Sequence, residues 1–143
     1  MTTSNYIKLN PNDLANFYGT EHHYYLPPFR HFIYTDGIQY LASQYQMYWL
    51  ITDIASFLPK IVKNHPDYFY CIILRKPTIG QAELIFTDGN NNQLFTYKYE
   101  TTSLQFIGND ENGKPIQEMK LFLQEGQNEK EEKNYCLMLP SEY

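Results

Sequence analysis

Cysteine is nearly absent: Cys71 and Cys136 are the two in 143 residues. Both stand in apolar runs far from each other, which excludes a disulfide framework and a zinc knot. The expectation is two packed, reduced thiols. Arginine is as scarce, with Arg30 and Arg75 the only guanidinium groups. Without a Lys/Arg cluster the chain lacks the phosphate-neutralising charge that dominates nucleic-acid affinity, so no direct nucleic-acid contact is expected. Glycine is sparse too, at 7 residues. No glycine-rich phosphate loop or nucleophile elbow is present, and the two Thr-Asp-Gly tripeptides at 35–37 and 87–89 read as a cap and a turn. No apolar run approaches the roughly 20 residues that cross a bilayer, and MTTSNYIKLN lacks the parts of a signal peptide. A soluble, cytoplasmic protein without a membrane partner is expected.

What is abundant is the aromatic ring. Fourteen Tyr, nine Phe and one Trp make 17% of the chain, while 43% is hydrophobic and 19% charged. That balance excludes disorder and suffices for a core. Many of the tyrosines need partners for their hydroxyls and so reach toward the surface, which points to a contact surface. The net charge is −5, with the excess acid in the second half and densest from Glu125 to Lys133. Such a run reads first as a solvated loop and second as a patch that steers the chain to a basic protein surface.

The length suits a single domain, 1–143, with a helical half over about 10–65 and a strand-rich half over about 67–140. Asn12–Phe17 reads as a short helix, and Thr20–Arg30 as an extended loop because Pro27 and Pro28 forbid regular helix. Thr35 or Asp36 caps a helix over about Gly37–Gln44. Two adjacent apolar stripes over Met47–Val62 predict a helix with a wide buried face. Pro59 predicts a kink, or a stop near Leu58. From Asp67 the period becomes two. Tyr68–Arg75 reads as a central strand covered on both faces, Ala82–Phe86 and Leu94–Tyr99 as a hairpin around Asp88-Gly89, and Ser103–Ile107 as a further strand or a crossing segment. Ile116–Gln124 and Tyr135–Leu139 complete the set. The fold class is α+β, with N-terminal helices packed on one face of a mainly antiparallel sheet of about five strands.

Chemistry is thinly represented. His22, His23, His31 and Asp36 are the one group with metal-ligand chemistry, but adjacent histidines diverge in an extended chain, so no metal site is expected. Cys71 lies among Tyr70, Ile72 and Ile73, too packed for a nucleophile. No catalytic residue and no cofactor is assigned. The interface expected from the residues is the aromatic loop, Tyr24, Tyr25, Phe29 and Arg30, together with Trp49 and the acidic Glu129, Glu131 and Glu132. The alternative is a pocket for a nucleotide-like ligand, or a small hydrolase site, built from Tyr34, His22, His31 and Asp36.

Four blocks carry a resemblance. They are Gly19-Thr20-Glu21-His22, then Tyr34-Thr35-Asp36-Gly37 leading to Tyr40-Leu41-Ala42, then Tyr48-Trp49-Leu50 leading to Asp53-Ile54-Ala55-Ser56, and Leu139-Pro140-Ser141-Glu142-Tyr143. In this order they resemble a family of small bacterial and phage proteins classified as a domain of unknown function. The resemblance implies no reaction and no site residue. It implies a bacterial cell or an infected host as the setting, and a counter-defence (anti-CRISPR-like) role on phages or mobile elements. The combined expectation is a non-enzymatic, inhibitory protein that masks a partner with a basic surface, such as a nucleic-acid-binding defence complex. A symmetric contact through the same patch would make it a homodimer.

Overall fold

The computed structural model describes residues 7–76, 81–90, 92–100, 102, 104–127 and 133–143. Its strands are β1 (Ile7–Leu9), β2 (His23–Leu26), β3 (Phe29–Thr35), β4 (Phe69–Arg75), β5 (Ala82–Thr87), β6 (Gln93–Tyr99), β7 (Leu104–Phe106), β8 (Glu118–Gln127) and β9 (Lys133–Met138). The helices are α1 (Asp36–Gln44) and α2 (Tyr48–Asn64), preceded by a 3-10 turn at Pro11–Asn16. The architecture mixes helix with a mostly antiparallel sheet, but that sheet has seven strands among the described residues, in the order β2-β3-β9-β8-β4-β5-β6, rather than about five. β1 and β7 form a separate parallel pair.

The extra strands come from the expected loop, Thr20–Arg30, and the short apolar run that follows it. Pro27 and Pro28, which cannot donate to a ladder, occupy the turn between β2 and β3, and the flanking residues pair as a hairpin in which Tyr24 faces Tyr34 and Tyr25 faces Ile33. β3 then pairs with β9 in parallel, through Phe32 and Tyr135, Ile33 and Cys136, and Tyr34 and Leu137. A pairing between segments so distant in sequence leaves no local signal. The hairpin at Asp88-Gly89 forms where expected: the Asp88 carboxylate accepts from the Asn90 and Asn92 N–H groups at 2.8 and 3.0 Å and holds the turn between β5 and β6.

The α2 helix does not stop or divide at Pro59 but runs through it to Asn64. Ile51, Ile54, Ala55, Leu58 and Ile61 are all buried, and each large apolar side chain contributes about 1.5–3 kcal/mol, more in sum than the roughly 3 kcal/mol a proline costs inside a helix. These residues share one cluster with Tyr34 of β3, Tyr70, Ile72 and Leu74 of β4, Leu84 and Phe86 of β5, and Leu121 and Leu123 of β8. The alternate residues of β4, Phe69, Cys71 and Ile73, point to the other side of the sheet and are half-buried, so β4 is not covered on both faces. Cys71 and Cys136 both fall on that outward side; they are free thiols, partly exposed, and not in the core as expected. Among the described residues no helix is long and apolar enough to cross a membrane.

Candidate functional site

Two constructions stand out, one closed and one open. The closed one surrounds the first turn of α1. Thr35 is the N-cap, its Oγ1 accepting from the Ile38 N–H at 3.4 Å, and the same hydroxyl donates to Glu142 Oε1 at 2.6 Å. Glu142 also accepts from the N–H groups of Gly37 at 3.1 Å and Leu139 at 3.0 Å. Glycine at position 37 leaves room for this, because a Cβ would collide with the Glu142 carboxylate and the Leu139 side chain and one of them would have to shift. Asp36 receives the N–H groups of Glu21 and His22 at 2.8 and 3.2 Å and the Tyr24 hydroxyl at 3.0 Å. Its own N–H donates to Thr20 Oγ1 at 2.9 Å. The Glu21 N–H above all, with Tyr24 and His22, holds the Asp36 carboxyl below the usual range. Two carboxylates at a helix N-terminus also complement its dipole.

The open construction is a groove of about 880 Å³ between the β2–β3 turn, the second half of α2 and the start of β4. Its floor is apolar, from Phe32, Ala55, Leu58, Val62 and Tyr135, and its rim is charged. Arg30 and His31 stand on one wall, Asp67 and Glu125 on the other. The back wall is pinned by Tyr135, whose hydroxyl donates to the Asp67 carbonyl at 2.7 Å; burial, followed by Tyr70 and Glu125 nearby, keeps that phenol neutral far above its ordinary pKa. Pro59 adds a backbone feature. Having no N–H, it leaves the Ala55 carbonyl without its usual donor from the next turn, and both residues line the groove. Arg30 is exposed and, among the described residues, enters no ion pair.

The model of a family of unknown function, DUF6876, matches residues 8–143. The chain belongs to that family. No curated protein and no solved structure matches it. In this DUF6876 chain the Gly19–His22, Tyr34–Ala42 and Leu139–Tyr143 blocks meet at the start of α1, through Thr20, Glu21, Thr35, Asp36, Gly37 and Glu142. Holding that turn together is a physical reason for those residue types.

The expected interface residues are divided by the fold. Phe29 and Arg30 line the groove together. Tyr24 turns inward, stacked on Tyr34 at 5.4 Å and bonded to Asp36, while Tyr25 is 69% exposed on the opposite side of β2. Trp49 packs edge-on against Tyr99 of β6 at 5.1 Å, and β6 and β2 are the opposite edges of the sheet. Trp49 is therefore not a neighbour of the β2–β3 turn. Glu129, Glu131 and Glu132 lie outside the described residues.

The ligand alternative also comes apart. His22 Nδ1 lies 3.6 Å from Asp36 Oδ1, but Tyr34 is buried and His31 precedes Asp36 along β3 by roughly 16 Å at the rise of a strand. His31 is among the groove residues and His22 is not, so the two histidines do not converge on Asp36. Among the described residues no three His, Cys, Asp or Glu are grouped to hold a metal ion. Burial, with Glu142 nearby, pushes the Cys136 thiol up to about 12, and burial also raises Cys71, so both stay protonated at neutral pH. Sequence reasoning missed Leu58, Val62, Pro66 and Tyr68 as groove residues. The prolines at 59 and 66, bracketing the end of an amphipathic helix, were the available signal.

Proposed function

We propose that this chain is a non-enzymatic binding protein that takes an apolar side chain of another protein into the groove beside Phe29 and Arg30. The observation that carries the reading is the groove itself: an apolar floor of the size that ordinarily accepts a ligand group, with an exposed guanidinium at its mouth. Arg is among the residue types that dominate interface energetics, and here it can meet an acidic group beside the anchor. Asp67 and Glu125 on the far rim suit basic groups of the same partner, and the net charge of −5 steers encounter with a basic surface. An inhibitor that covers a basic surface used for nucleic acid is the form of this function that the charge favours. Selection from a random displayed peptide library tests the reading. Peptides with one large apolar residue flanked by charge should emerge, and Val62→Arg, which fills the groove, should abolish their binding. Failure to select any peptide, or binding that survives Val62→Arg, overturns it.

A further inference from the structure

The two edges of the seven-stranded sheet are guarded unequally. β2 has four residues, shifts register between Tyr25 and Leu26, and runs into Pro27 and Pro28. These are the features that keep an edge from pairing with another chain. β6 has seven residues, Gln93–Tyr99, no proline and one charge, Lys98. Among the described residues it pairs with β5 alone, so the peptide groups along its other side have no strand beside them.

A second observation lies next to that edge. Trp49 and Phe57 of α2 meet Phe95, Tyr97 and Tyr99 of β6 in a chain of ring contacts with centroids 4.9 to 5.1 Å apart. Tyr97 is 42% exposed, and the other four rings are partly so. Half-exposed Trp, Tyr and Phe beside an unpaired strand are the ingredients of an interface core.

The sequence of β6 is complementary to itself. Laid antiparallel on a second copy with Thr96 opposite Thr96, it sets Phe95 opposite Tyr97 of the second copy and Lys98 opposite Leu94. Aromatic and threonine pairs are favourable across strands, and no like charges face each other. We infer that two copies of this chain join edge to edge through β6, extending the sheet across a twofold axis at Thr96. The contact is isologous, and the aromatic chains of the two copies come together on the helix side.

Sedimentation of the wild type and of two Thr96 variants tests this. Thr96 is exposed, so its replacement leaves the fold intact, which circular dichroism and the melting midpoint verify. The wild type should sediment at twice 17.0 kDa. Thr96→Lys sets like charges on the axis and should weaken the dimer at least about tenfold. Thr96→Cys should link to itself under mild oxidation or with a short bismaleimide, with peptide mapping separating this bond from any at Cys71 or Cys136. A monomeric wild type overturns the inference, as does a dimer that persists in Thr96→Lys. A dimer in which Thr96→Cys forms no link across the axis puts the contact elsewhere and overturns it too.

Discussion

The Thr35 hydroxyl donates to Glu142 Oε1 at 2.6 Å across 107 positions of sequence. The same threonine caps α1, so this bond couples the start of the helix to the 3-10 turn at Pro140–Glu142. Asp36 ties that first turn to Thr20, Glu21 and Tyr24 on its other side. The arrangement positions β3, and through it Arg30 and Phe32 at the groove, without offering an open site of its own.

Glu142→Ala should destabilise the chain by about 2 kcal/mol, because the Thr35 hydroxyl and the Gly37 and Leu139 N–H groups lose a charged acceptor together. Gly37→Ala should cost as much or more, since its Cβ displaces the same carboxylate. Urea denaturation of each variant gives the values, and the double variant should cost clearly less than the sum of the two, because both act on one carboxylate.

Acid should expose the Asp36 contribution. Its folded pKa lies below the unfolded value, chiefly through the Glu21 N–H, so the stabilisation is complete above the unfolded pKa and disappears as pH falls through the folded one. Stability measured by urea denaturation should therefore fall below about pH 4. Asp36→Asn should flatten that loss without removing it, because Asp88 is lowered in the same direction by its bonds to Asn92 and Asn90.

Local features were legible and non-local ones were not. The stripes Leu50, Ile54, Leu58 and Ile61 announce α2, Thr35-Asp36 announces a cap of α1 without saying which of the two provides it, and Asp88-Gly89 announces a hairpin, because each acts within a turn or two of itself. Pro27-Pro28 pointed to a loop and hid the β2–β3 hairpin, since the residues that pair lie on both sides of the interruption. The groove had no sequence signature because Phe29–Phe32, Ala55–Val62 and Pro66–Tyr68 form its walls only after β3 has paired with β9. Trp49 was legible as an interface aromatic, but its partner Tyr99 was not, and that contact decides which edge it serves.

The Tyr99 hydroxyl donates to Asp53 Oδ2 at 2.5 Å, and burial followed by this bond pushes its pKa far above the ordinary phenol range. A raised folded pKa means stability that is complete below the unfolded value, about 10, and declines as pH rises above it. Tyr99→Phe should lower stability at pH 7 by about 1–2 kcal/mol and make the alkaline loss shallower. Ultraviolet titration of the wild type should show Tyr99 and Tyr135 ionising only well above the ordinary phenol range.

Pro59 is exposed, lies inside α2, and removes the N–H that would bond the Ala55 carbonyl on the groove wall. Pro59→Ala restores that donor in a residue of high helix propensity, so it should stabilise the chain by about 1–3 kcal/mol, read from the urea midpoint at unchanged m-value. A proline where alanine would be more stable is the pattern expected where function opposes stability. Peptides selected on the groove should therefore bind Pro59→Ala more weakly than wild type. If stability fails to rise, the helix already satisfies the Ala55 carbonyl by other means, and the acceptor has no part in recognition.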